Sequence, residues 1–199
     1  YDVSEPAMRR LTDAGARAGG SPRAVAAASD VVITMVPDAP DVERAALGPD
    51  GILAGIRPGA VYIDMSTIDP QTTQRVGAAI AAKGAAMIDS PVGKTAEHAV
   101  AGTLTLMVGG PAEVIARVRP ILDCMGTDFF HCGGLGMGEA MKLANNLLAT
   151  TLMEATSEAL VVGTKAGLTL DTMLSVMKTT MAWNNQLAIA MQARPLKGD

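Results

Sequence analysis

The residues best placed to do chemistry are Lys142, Asn145 and Asn146, in the run Met141-Lys142-Leu143-Ala144-Asn145-Asn146, whose neighbours are almost wholly apolar. On a helix, spacings of three and four bring all three side chains to one face. A buried ammonium must be paired or give up its proton, so a lysine in such a setting has a depressed proton affinity. It can hand a proton to a carbonyl oxygen and take it back, while the two amides orient it and hold the substrate oxygen. The same residues also fit a first-turn lysine that reaches water beside helix-capping asparagines.

A second constellation is Asp89-Ser90-Pro91-Val92-Gly93-Lys94-Thr95, a strand end followed by a turn of small residues with one cation and one hydroxyl. Gly93 N–H, the Lys94 ammonium and the Thr95 hydroxyl together suit an anionic group such as a carboxylate or sulfonate. The triplet is not a P-loop, because Ile88 stands where the pattern needs its first glycine. Gly133-Gly134-Leu135-Gly136-Met137-Gly138 offers no frame for a dinucleotide fingerprint and is read as a hinge. Asp2 fits either a surface aspartate or the acid that ends a Rossmann strand and meets ribose hydroxyls. His98, Cys124, Cys132 and Trp183 have no partners at useful spacing.

The elements that must position these residues alternate. Val31–Val36, Ala60–Met65 and Leu104–Val108 are short β-rich runs, separated by Ala-rich helical stretches such as Pro40–Ala46 and Gln71–Lys83. Continuous apolar runs read as strands buried on both faces of a helix-covered parallel sheet. The strands run into Pro37-Asp38, Ser66-Thr67-Ile68-Asp69-Pro70 and Ser90-Pro91, loops at the carboxyl ends where α/β sheets collect ligands. From Glu139 to Lys165 a long helix is expected, apolar all round and so buried on most faces. Another is expected from Asp171 to Gln192, stopping near Pro195. The boundary near Gly133–Gly138 divides an α/β domain, 1–135, from an all-α domain, 136–199.

Composition narrows the classes. The chain has 199 residues, 49% hydrophobic and 18% charged, enough to bury a core and without an apolar run that spans a bilayer. A net charge of −4 with no basic run argues against nucleic acid. Two cysteines and two histidines give neither a disulfide framework nor a metal cluster, which fits a reducing cytoplasm.

Taken in order, Tyr1-Asp2, Thr34-Met35-Val36-Pro37-Asp38, Ile63-Asp64-Met65-Ser66-Thr67-Ile68-Asp69-Pro70, Gly102-Thr103-Leu104 with Met107-Val108-Gly109-Gly110, and Lys142 to Asn146 resemble the β-hydroxyacid dehydrogenases. That family includes 3-hydroxyisobutyrate dehydrogenase and tartronate semialdehyde reductase, and the resemblance runs the whole length. It implies a Rossmann domain binding NAD and a helical domain that closes over substrate. By position, Asp2 would hold the adenosine ribose, Val36 and Pro37 would line the cofactor, and Thr67 would sit by the nicotinamide ribose. Lys142 would be the general acid/base, with Asn146 orienting it or the substrate and Asn145 close by. Asp2 followed by Val3 favours NAD over NADP. The paired asparagines argue against a sugar phosphate.

Gly93-Lys94-Thr95 stands where most members carry Ser-Gly-Gly. It is similar to the sulfolactaldehyde reductase branch, which has Gly-Arg-Thr there, with lysine replacing the arginine that grips a sulfonate. Lysine lacks the planar fork, so a carboxylate such as that of succinic semialdehyde stays open. The expected reaction is NADH-dependent reduction of a small anionic semialdehyde, 3-sulfolactaldehyde first. The alternatives are 3-hydroxyisobutyrate, 4-hydroxybutyrate or tartronate semialdehyde chemistry, and a non-catalytic scaffold. The resemblance also implies a homodimer or homotetramer. It implies too that a first strand with its glycine loop precedes Tyr1 and that further helices follow Asp199, so the segment alone is expected to hold NAD weakly.

Overall fold

The computed structural model describes residues 1–192 of the chain, with side chains through Ala188. It divides into two compact units, Tyr1–Leu143 and a second that begins at Ala144. In chain order the first contains α1 (Glu5–Asp13), α2 (Pro22–Ala27), β1 (Val31–Thr34), α3 (Ala39–Leu47), α4 (Ile52–Gly55), β2 (Val61–Asp64) and α5 (Pro70–Ala82). There follow β3 (Ala86–Asp89), β4 (Val92–Gly93), α6 (Ala96–Val100), β5 (Leu104–Gly109), α7 (Ala112–Leu122) and β6 (Gly126–Gly133). The long helix α8 (Met137–Lys165) runs across the division, and α9 (Leu170–Met177) and α10 (Asn185–Gln192) complete the described chain.

The six strands form one sheet in the order β1-β2-β3-β5-β4, with β6 on the other side of β5's path. β1, β2 and β3 are parallel, in a register that aligns Ile63 with Ile88 and Asp64 with Asp89. β5 runs antiparallel to β3 and β4 and parallel to β6. The apolar run of β2 shows why such strands carry no polar alternation. Tyr62 packs with Val32, Val76, Ile80 and Met87 on the α2–α5 side, while Val61 and Ile63 join Ile88, Leu106, Ile115 and Val118 on the α7 side. All four β2 residues are buried. Each such Val or Ile contributes on the order of 1.5–3 kcal/mol of burial.

Turn chemistry sets the starts of the helices that follow these strands. Asp38 caps α3 through the Ala39 N–H, and Asp69 caps α5 through the Thr72 N–H at 2.8 Å, with Pro70 in the first turn.

Four expectations are corrected. β1 is not buried on both faces: it ends the row of described strands and leaves Ile33 39% exposed. β6 joins the strands legible in the sequence, hidden there because its Thr127, Asp128 and His131 face outward and break the apolar pattern. α8 is not buried on most faces, since Leu147, Leu148 and Val162 are 63–70% exposed within this chain. The expected helix from Asp171 to Gln192 is two helices. Thr169 starts α9, and Asn184 starts α10 by accepting the N–H groups of Gln186 and Leu187. The stop expected near Pro195 lies outside the described residues. In the second unit Leu160 of α8, Met173 and Leu174 of α9 and Leu187 of α10 form a small core. Among the described residues no helix is long and apolar enough to cross a membrane.

Candidate functional site

The loops that leave β1 and β2 are tied together by a buried carboxylate. Oδ1 of Asp64, the last residue of β2, accepts the Thr34 hydroxyl at 2.8 Å, the Ser66 hydroxyl at 2.7 Å and the Ser66 N–H at 3.1 Å. The Ser66 hydroxyl in turn accepts the Val36 N–H at 3.0 Å. Val36 and Pro37 are thereby set against the loop that carries Thr67. Val36 and Thr67 are half-buried and Met35 is 67% exposed, so the carboxyl ends of β1 and β2 present an apolar ledge with one hydroxyl beside it. That surface fits a flat, partly apolar cofactor. Asp2 is exposed, with Oδ1 accepting the Ser4 N–H at 2.7 Å ahead of α1.

Asp89, the equivalent last residue of β3, fixes the start of α8. Its Oδ1 accepts the Gly136 N–H at 2.7 Å and its Oδ2 the Glu139 N–H at 2.8 Å, supplying acceptors for donors a helix start leaves unpaired. The glycine run is therefore docked and not a slack hinge. Gly136 takes φ +91°, and a Cβ on Gly138 would collide with the Met107 carbonyl and lie 2.7 Å from Asp89 Oδ2. Close approach, rather than freedom to bend, is what these glycines provide.

The first turn of α8 holds Glu139, fully buried, with Oε2 accepting the Ile68 N–H at 3.1 Å. Lys142 follows one turn later and is half-buried. Burial pushes the Glu139 carboxyl up to about 8, helped by the charges of Asp64 and Asp89 and opposed by the Ile68 N–H. Burial also raises Asp64 and Asp89, against the N–H and O–H groups each accepts. The Lys142 ammonium is pulled below its ordinary value by burial, with Glu139 working in the opposite sense. A lysine so placed, at the carboxyl ends of β2 and β3, suits proton transfer to a carbonyl oxygen.

Sequence reasoning singled out Lys142 but passed over Asp64, Asp89 and Glu139. The signal available was the repeat of Ile63-Asp64-Met65-Ser66 in Ile88-Asp89-Ser90, each an acid closing a buried apolar run.

The remaining expected residues are placed otherwise. Lys94 has φ +79°, and its Nζ lies 2.7 Å from both the Thr103 carbonyl and Asp128 Oδ2. Its charge is thus paired with Asp128 within the fold. The Thr95 hydroxyl lies 2.9 Å from Glu97 Oε2 and from His98 Nδ1. Gly93 pairs with Thr105 on β5. Asn145 and Asn146 follow Lys142 on α8, with Asn145 Nδ2 donating to Asn146 Oδ1 at 3.5 Å.

Residues 1–134 match the family described as the NAD binding domain of 6-phosphogluconate dehydrogenase, and residues 136–199 the family described as NAD-binding of NADP-dependent 3-hydroxyisobutyrate dehydrogenase. The chain is 41% identical to the 3-hydroxyisobutyrate dehydrogenase of Pseudomonas aeruginosa, over 92% of this chain and 62% of that one. It is 37% identical to the 3-sulfolactaldehyde reductase of Escherichia coli, over its whole length and 67% of the relative. Among solved structures it is similar to Mycobacterium tuberculosis 3-hydroxyisobutyrate dehydrogenase with L-serine, with a TM-score of 0.84, 34% identity, and coverage of 92% of this chain and 62% of that one. The chain thus spans somewhat less than two thirds of the first of these relatives.

Proposed function

Because this chain belongs to the 3-hydroxyisobutyrate dehydrogenase-related family of β-hydroxyacid dehydrogenases, we propose that it interconverts a small anionic semialdehyde and its hydroxy acid with NAD, using Lys142 as acid/base. The observation that carries this reading is the half-buried Lys142, its proton affinity lowered by burial, one helical turn from the point where α8 is pinned to β3. In the reductive direction the Lys142 ammonium gives its proton to the aldehyde oxygen as the carbonyl carbon becomes a carbinol. In the oxidative direction the neutral amine takes the hydroxyl proton. Bound nicotinamide dinucleotide supplies or accepts the hydride. Val36 and Pro37 would line the cofactor, Thr67 would sit by its nicotinamide ribose and Asp2 would hold its adenosine ribose, the last favouring NAD over NADP. Asn146, four residues beyond Lys142, orients that lysine or the substrate, with Asn145 beside it. The domains of this reading are 1–135 for the dinucleotide and 136–199 for substrate and assembly into a homodimer or homotetramer, in the cytoplasm.

The substrate of first choice is 3-sulfolactaldehyde, reduced to 2,3-dihydroxypropane-1-sulfonate, with Gly93, Lys94 and Thr95 as the anion anchor. The Gly-Lys-Thr turn and the similarity to the Escherichia coli reductase support it. The Lys94–Asp128 pair favours a second reading, a carboxylate substrate such as the semialdehyde of 3-hydroxyisobutyrate, which needs no free cation at position 94. NADH oxidation by the intact protein with sulfolactaldehyde, succinic semialdehyde and methylmalonate semialdehyde tests the proposal. Turnover of at least one supports it, with the preferred acid group choosing between the readings, and no turnover of any with either NADH or NADPH refutes it.

A further inference from the structure

Three buried side-chain oxygens around the first turn of α8 have no partner among the described residues: Asp64 Oδ2, Ser90 Oγ and Glu139 Oε1. They belong to one neighbourhood. Asp64 and Asp89 are register partners on β2 and β3, the Ser90 N–H donates to the Asp64 carbonyl, and Asp89 holds the Glu139 N–H. Glu139 faces Asp64 from β2, Asp89 from the end of β3, the Ile68 N–H from the β2–α5 loop and Lys142 on its own helix, with Cys132 of β6 near Asp89.

A count of donors decides how these groups coexist. With all three acids ionised, three like charges crowd a dry site, and Asp64 Oδ2 and Glu139 Oε1 have no donor among the described residues. One proton on Glu139 removes one of these charges. Glu139 is the acid to carry it: it is fully buried and accepts one N–H, whereas Asp64 and Asp89 each accept two or more donors.

We infer that Glu139 is a positioning residue for Lys142: as a neutral carboxylic acid it holds the Thr67 loop, through the Ile68 N–H, against the first turn of α8, and it leaves Lys142 without a counter-charge. This rests on the reading of Lys142 as the acid/base. When Glu139 ionises, near pH 8, its carboxylate draws the Lys142 proton affinity back up. The limb of the pH–rate profile set by Lys142 therefore lies higher in the wild type than it would beside a permanently neutral group.

Glu139→Gln supplies that neutral group and keeps an acceptor for the Ile68 N–H. In the intact enzyme the profile of kcat/KM for semialdehyde reduction should keep its plateau while the Lys142 limb moves down by about one pH unit. Infrared spectra of the unmodified enzyme should show a protonated-carboxyl band at neutral pH that titrates away in the mildly alkaline range and is missing from Glu139→Gln. Coincident profiles, or no such band, overturn the inference. Lys142→Ala separates the two levels: retained turnover removes the acid/base reading and this inference with it, whereas lost turnover with coincident profiles removes the inference alone.

Discussion

Asp89 grips the main chain of Glu139: its Oδ2 accepts the Glu139 N–H at 2.8 Å while Oδ1 takes the Gly136 N–H at 2.7 Å. One carboxylate at the end of β3 thus sets where α8 begins and, one turn on, where Lys142 sits. Asp89→Asn has one carbonyl oxygen for two donors and should destabilise the fold by about 1–3 kcal/mol, the cost of a buried donor left unpaired. A urea midpoint lower at unchanged m-value is expected. An unchanged midpoint would mean that α8 is positioned by other contacts.

Gly138 allows that same approach. Gly138→Ala drives a methyl group into the Met107 carbonyl and should cost about 1–3 kcal/mol, lowering Tm in a thermal melt. Tolerance of alanine there would show that the helix start can shift away from β5.

Stability should depend on pH through the buried acids. Glu139 is raised from 4.5 to about 8, and Asp64 and Asp89 are raised as well. Between the two Glu139 values the folded state binds more protons than the unfolded state. The stabilisation is therefore complete below the ordinary carboxylate range and is lost as pH rises toward 8. Urea midpoints for the wild type should fall across this window, and those of Glu139→Gln should fall less steeply. Parallel slopes would contradict the burial of a neutral acid.

Lys94→Ala removes an ion pair with Asp128 whose partners are 31% and 48% exposed, so stability should change by no more than about 1 kcal/mol. If the lysine exchanges Asp128 for a sulfonate, KM for sulfolactaldehyde should rise about tenfold with kcat nearly unchanged, a loss of about 1.4 kcal/mol of binding. Equal KM values for wild type and variant would favour the carboxylate reading.

The sequence makes the α/β alternation legible because burying both faces of β2 leaves a continuous apolar run, and because Asp38, Asp69 and the prolines after them mark helix starts. Lys142 is legible as a cation among apolar neighbours. Pairings across long separations are not: Asp89 meets Gly136 and Glu139 after 47 and 50 residues, and Lys94 meets Asp128 after 34. Periodicity reports which face a residue takes, not which oxygen waits there. The break between α9 and α10 was missed because Met181, Ala182 and Trp183 continue an apolar texture through a segment where Thr180 and Asn184 turn their side chains onto the backbone. The exposure of α8 could not be read either, since apolar composition states what a surface can bury, not what lies against it.

The most direct test of the account is the turnover of Lys142→Ala in the intact protein, with NADH and the best semialdehyde from the substrate panel. A proton donor at this position predicts that kcat falls by about 10²–10⁴-fold while KM changes little. Turnover close to that of the wild type would contradict Lys142 as the acid/base.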